Sequence, residues 1–180
     1  TSSFDWSADG RHIAFLGDDQ WLHLVETAQW VEVGSFYIDS GEMLGVAFAH
    51  HAEVLATTSR NNPLRVWTYS GEQLASFPSE SSNWTPAFSP DDSLVATGTW
   101  DWDIDVYDWR RGEQVAQLEG HGSTVWSVEF NPRNPRLIAS TASDGTTRIF
   151  DVVDQRALVT LDGLANSEVL AANFTGDGAR

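Results

Sequence analysis

Short apolar runs separated by turn-forming residues recur along the whole chain, and none of them carries the period of a helix. "HIAFLG", "VLATTS", "LVATGT" and "LIASTA" are short and largely apolar. "QWLHLVE", "PLRVWT", "WDIDVYD" and "TTRIFD" alternate with the two-residue period of a strand. "EVGSFYI", "EQLASF", "EQVAQL" and "RALVTL" close each group with polar flanks. The pattern predicts an all-β chain of many short strands.

These runs repeat in register. Phe4, Phe48, Phe88, Phe130 and Phe174 close short alternating segments at spacings of 44, 40, 42 and 44 residues. Each is followed by a turn-rich stretch: "DWSADG", "AHHAE", "SPDDS", "NPRNPR" and "TGDGAR". Setting Ala14, Ala56, Ala96 and Ala139 in one column places Asp19, Asn61, Asp101 and Asp144 five residues on. It places Val25, Trp67, Tyr107 and Phe150 eleven residues on. Four strands in roughly 40–45 residues is the organisation of one propeller blade.

The register decides how to read "DWDIDVYD", residues 101–108. Asp101 falls on the turn between a second and a third strand. Asp103 and Asp105 share one side of the third strand, with Trp102, Ile104 and Val106 on the other. A calcium loop opening at Asp101 needs glycine at its sixth place and glutamate at its twelfth, where Val106 and Gly112 stand. No metal site is expected here.

The segment "LEGHGSTVWSVEFNPRNPRLIASTASDGTTRIFD", residues 118–151, resembles a WD40 repeat in its Gly-His pair, its Ser-Asp-Gly turn and its terminal aromatic-Asp. The resemblance extends over four successive units. It implies a β-propeller segment of about four four-stranded antiparallel blades, WD40/YVTN-like. One partial propeller domain over 1–180 is expected, with blades near 1–40, 41–79, 80–121 and 122–165 and an inner strand of a further blade at 166–180. "WSADGRHIAF" also resembles the repeats of TolB-like propellers. Such rings close with about seven blades, so the resemblance implies a longer propeller or a ring shared with a second copy of the chain. It also implies a buried structural relay. His121, Ser140 (or, in the alternative register, Thr141) and Asp144 supply it in the fourth unit, where Phe150 stands in place of the usual tryptophan. Trp67 is the tryptophan of the second unit, Asp101 accompanies Tyr107 in the third, and Asp19 accompanies Val25 in the first.

Composition narrows the partners. The net charge of −16 arises from 26 acidic residues against ten basic ones, all arginine. Such a field repels nucleic acid and anionic membranes and favours a basic protein or peptide. No apolar run is long enough to span a bilayer. The absence of cysteine fits a reducing, cytoplasmic location.

No nucleophile elbow, phosphate-binding glycine loop or convergent acid–base set is present, and no cofactor is expected. Adjacent residues diverge, so His50 and His51 read as an exposed turn pair and not as metal ligands. Nine tryptophans are many for 180 residues. Trp84 and Trp126 share a phase with Leu44 and Leu170, which reads as packing with a ligand role as the alternative. Trp100 stands at the tip of a second-to-third-strand turn, where Asp18, Arg60 and Ser143 are its equivalents. In WD40 proteins such turns line the usual partner face. From Phe88 to Gly120 the chain carries eight acidic residues against two arginines, so a basic peptide is expected across this rim. The expected function is a non-catalytic protein-interaction scaffold within a larger propeller. The alternatives are a hydrolase- or lactonase-like propeller enzyme, or a sensor module, with its active residues outside this segment.

Overall fold

The computed structural model describes residues 3–17, 19–38, 42–60, 63–78, 81–163 and 170–178. The first sheet orders β1 (Phe4–Trp6), β2 (His12–Leu16), β3 (Trp21–Glu26) and β4 (Val31–Tyr37). The second orders β5 (Met43–Phe48), β6 (Val54–Ser59), β7 (Leu64–Thr68) and β8 (Gln73–Phe77). The third orders β9 (Asn83–Phe88), β10 (Val95–Thr99), β11 (Ile104–Asp108) and β12 (Glu113–Leu118). The fourth orders β13 (Val125–Asn131), β14 (Asn134–Ala142), β15 (Thr146–Asp151) and β16 (Arg156–Asp162). All ladders are antiparallel between strands consecutive in the chain. The fold is therefore all-β, built of four blade-like sheets.

Short polar turns make the hairpins. Ser7 accepts the His12 N–H at 2.9 Å and donates to Asp9 at 2.7 Å; Ser89 accepts the Leu94 N–H at 2.9 Å and donates to Asp91 at 2.6 Å. The serine hydroxyl thus satisfies a backbone donor that the turn would otherwise expose.

Ladder register fixes the columns. Ala14, Ala56, Ala96 and Ala139 pair with Leu24, Val66, Val106 and Ile149. Phe48, Phe88 and Phe130 pair with Leu55, Val95 and Ile138, and the first-sheet residue in that place is Trp6, paired with Ile13. Phe4 is thus not a member of the phenylalanine column. It sits two positions away, opposite Phe15, because pairing and not residue type sets register.

Two further expectations change. β14 starts at Asn134, inside the predicted turn, and Pro135 is accommodated near the strand's start, where its missing N–H costs least. Trp102 stands on the β10–β11 turn with φ 80° and not on a strand. Residues 170–178 form no ladder with any described strand. Side chains of β13 hold them instead: the Phe174 N–H donates to the Glu129 carboxylate at 2.8 Å and Asn131 Nδ2 to the Gly178 carbonyl at 2.8 Å.

The core lies between neighbouring sheets. Ala14, Leu16, Leu22 and Leu24 cluster with Phe48, Leu55 and Trp67. Ala56, Leu64, Val66 and Phe77 cluster with Phe88, Val95, Tyr107 and Trp109. Ala96, Ile104, Val106 and Leu118 cluster with Val128, Phe130, Ile138 and Phe150. One interface thus recurs three times: an alanine-column face meets the bulky face of the next sheet. Each large side chain buried there contributes about 1.5–3 kcal/mol. Gly45 and Gly98 mark the tightest approaches between sheets, since a Cβ there would lie 2.5 Å from Pro86 Cδ and from the Val125 carbonyl oxygen respectively.

Candidate functional site

Several polar side chains inside the sheets are engaged structurally. His121, 6% exposed, places Nε2 at 2.7 Å from Ser140 Oγ and Nδ1 at 3.0 Å from Asp144 Oδ2. Asp144 also accepts the N–H groups of Gly122 and Thr146 and the Thr146 hydroxyl, at 2.8, 2.9 and 2.7 Å. These donors hold its carboxyl well below the usual carboxylate range, against the opposing effect of its partial burial. Burial lowers the His121 pKa although the Asp144 charge pulls the other way. Trp67 Nε1 donates to Thr57 Oγ1 at 2.9 Å in the second sheet. In the third sheet the Tyr107 hydroxyl donates to Asp105 at 3.2 Å, and burial pushes the Tyr107 pKa up. Asp19 is exposed and bonds the Trp21 N–H at 3.1 Å and His23 at 3.3 Å.

Another group gathers where the inner strands begin. The Trp100 N–H donates to the Ser82 carbonyl at 3.0 Å, and the Ser143 N–H to the Thr124 carbonyl at 2.9 Å. Each second-to-third-strand turn is thereby fastened to the entry of its own inner strand. The Trp84 ring lies 4.4 Å from that of Trp126 at 62° and 6.4 Å from that of Trp100 at 25°. Trp126 Nε1 donates to Ser143 Oγ at 2.6 Å. Three indoles from two sheets therefore form one contiguous row, with Ser143 bracing one end. Trp100 is 53% exposed at the other end. The Thr58 hydroxyl of the second sheet donates to the Trp84 carbonyl, tying a third sheet to the row. Arg60 lies on the β6–β7 turn in an ion pair with Glu42 at 3.1 Å. Asp18 and Asn61 lie outside the described residues.

The model of the WD40 family, described as "WD domain, G-beta repeat", matches residues 71–108 and 112–151. These two segments of the chain are WD40 repeats. WD repeat-containing protein 1 of Rattus norvegicus is 26% identical over 165 residues, which cover 82% of this chain and 25% of that protein. The serine-threonine kinase receptor-associated protein of Mus musculus is 25% identical over 148 residues, 82% of this chain and 41% of that protein. The activating molecule in BECN1-regulated autophagy protein 1B of Danio rerio is 42% identical over 66 residues, 37% of this chain and 5% of that protein. The chain thus spans between 5% and 41% of the length of these relatives.

Each matched WD40 repeat is offset from the sheets. Residues 71–108 supply β8 to one sheet and β9–β11 to the next; residues 112–151 supply β12 and β13–β15 in the same way. A repeat therefore links two sheets covalently, and the tryptophan row crosses one such junction.

Several residues with clear roles escaped the sequence reading. Asp92, 1% exposed, accepts the N–H groups of His50, His51 and Ala52 at 2.7, 2.7 and 2.8 Å and joins the third sheet to the second. His50 and His51 thus stand on a turn gripped through its backbone. Among the described residues no three His, Cys, Asp or Glu side chains converge as a metal site. Thr146 completes the His121–Asp144 network, and the threonine after the turn was its one signal. Trp102, 51% exposed, adjoins the row in sequence; a tryptophan where the fourth sheet has Gly145 was the signal for it.

Proposed function

We propose that this chain is a non-catalytic protein-interaction scaffold and that partners dock on the face carrying Trp84, Trp100 and Trp126. The observation carrying this reading is the indole row itself. Tryptophan is enriched at binding hot spots, and Trp100 leaves half its surface in water beside two indoles already ordered by packing. A preordered aromatic surface loses little conformational entropy on binding. The kinship with WD40 proteins supports a scaffold over an enzyme, and the net charge of −16 supports a basic partner over nucleic acid. Absence of cysteine supports a cytoplasmic setting.

The same reading makes the four sheets one partial propeller domain, with blades near 1–40, 41–79, 80–121 and 122–165 and residues 166–180 beginning another. The Phe174 N–H donates to Glu129 at 2.8 Å just as the Phe48 N–H donates to Asp5 at 2.8 Å, so one carboxylate link joins successive inner positions. Among the described residues no helix is long and apolar enough to cross a membrane.

Affinity capture with the wild-type chain, Trp100→Ala and Arg60→Ala, followed by mass spectrometry, tests the docking face. Trp100→Ala is expected to lose a defined subset of captured proteins. Identical sets from all three overturn the choice of face.

A further inference from the structure

We propose that Trp100 and Trp102, the exposed tryptophans of the β10–β11 turn, form with the adjoining acid-lined hollow a docking surface for an arginine-bearing segment of a partner protein. This rests on the interaction-face reading above and names the chemistry of the partner.

Backbone geometry supplies the first reason. The Trp102 N–H donates to the Thr99 carbonyl at 3.4 Å as the Gly145 N–H does to Ala142 at 3.1 Å, so the two residues occupy the same turn position. Both have φ 80°. A side chain in this left-handed conformation carries a steric cost that glycine escapes. Trp102 is 51% exposed, so the chain recovers only part of that cost by burial, whereas contact with a partner recovers more.

Charge supplies the second. A hollow of about 190 Å³ beneath the turn is lined by Asp101, Asp103, Asp105, Thr99, Gln114 and Gln117 among others, and by no basic residue. Burial, followed by the charges of Glu119, Asp105 and Asp101, pushes the Asp103 carboxyl above its ordinary range. An incoming cation relieves that crowding.

Comparison among the sheets supplies the third. Asp105 pairs with Thr97; the same third-strand position is His23 opposite Phe15, Arg65 opposite Thr57 and Arg148 opposite Ser140. Arg65 Nη1 donates to the Ile38 carbonyl of the preceding sheet at 2.9 Å, so the groove between sheets admits a guanidinium. In the third sheet an aspartate stands in that place, its two oxygens accepting from the Tyr107 hydroxyl at 3.2 Å and from Gln114 Nε2 at 2.8 Å and each keeping a lone pair for a further donor. A partner's arginine fits where the chain's own cation is missing. Arginine is favoured over lysine because its planar group stacks on indoles and binds carboxylates through two parallel hydrogen bonds.

The test is a fluorescence-anisotropy titration of the chain with a labelled glycine–serine peptide carrying two arginines, and with its lysine counterpart. The arginine peptide is expected to bind at least about fivefold tighter, and Asp103→Asn and Trp102→Gly each to weaken it at least about fivefold. Trp102→Gly restores the residue that suits the turn, so loss of binding there does not reflect misfolding. Glu113→Gln, at the opposite end of the β11–β12 ladder, is expected to leave binding within about twofold. Equal affinity for the two peptides, or equal weakening by Glu113→Gln and Asp103→Asn, overturns the arginine assignment in favour of general charge attraction. If Trp100→Ala still removes captured partners in that case, the docking face stands and only the arginine falls. If it does not, both fall.

Discussion

His121 shows how much one buried side chain sets. It is 6% exposed and held between Ser140 and Asp144, and burial keeps its pKa below the ordinary histidine value. The unfolded chain therefore binds a proton that the folded chain resists. This contribution is complete above the unfolded pKa of about 6.5 and is lost as pH falls through that value toward the lower folded pKa. Carboxylates whose pKa desolvation raises, the buried Asp105 and the half-buried Asp5 and Glu129 among them, push stability the opposite way as pH falls. The His121→Gln variant isolates the imidazole. Urea midpoints at pH 7 and pH 5 are expected to fall more for wild type than for His121→Gln. The Gly-His pair and the Ser-Asp-Gly turn made His121 and Asp144 legible in the sequence. Thr146 was not, because its role depends on the hairpin folding it back onto both.

At the scale of the element, the turns between second and third strands carry the individuality of each sheet. The same left-handed position is filled by Gln20, Trp102 and Gly145, with φ of 70°, 80° and 80°. Glycine alone adopts this conformation without strain. Trp102→Gly is therefore expected to raise stability by about 1 kcal/mol in chemical denaturation, even as it removes binding surface. A decrease would show that Trp102 packs within the chain more than its exposure implies. The strands themselves were legible: β12 and β15 cover the residues their alternation predicted. The start of β14 was not, because "NPRNPR" reads as turn throughout, and only pairing with β13 extends the strand into it.

At the scale of the molecule, stability comes from one interface used three times, and Gly98 marks a tight approach between the third and fourth sheets. A Cβ there would meet the Val125 carbonyl oxygen at 2.5 Å and its side chain at 2.7 Å. Gly98→Ala is expected to cost about 1–3 kcal/mol by forcing the third and fourth sheets apart, read as a lower urea midpoint. Gly112→Ala is the companion variant: nothing lies within 4 Å of its Cβ position, and its cost arises only from φ 71°. A cost at Gly98 no larger than at Gly112 would mean that the sheets adjust freely.

The sequence by itself determined four strands in each of the four sheets and the alanine columns, because period-two alternation and turn residues act locally. It also placed Trp100 at the tip of a turn, where a tryptophan has few neighbours to pack against. Tertiary structure alone decided that Trp84, Trp100 and Trp126 form one row, because they come from two sheets and meet only when those sheets pack. It alone placed Trp6 and not Phe4 in the aromatic column, since register belongs to a pair of strands. The contrast of Asp105 with His23, Arg65 and Arg148 emerged the same way. Each is an ordinary residue in its own strand, and the reversal of charge is visible only once the ladders place them at the same point in successive sheets.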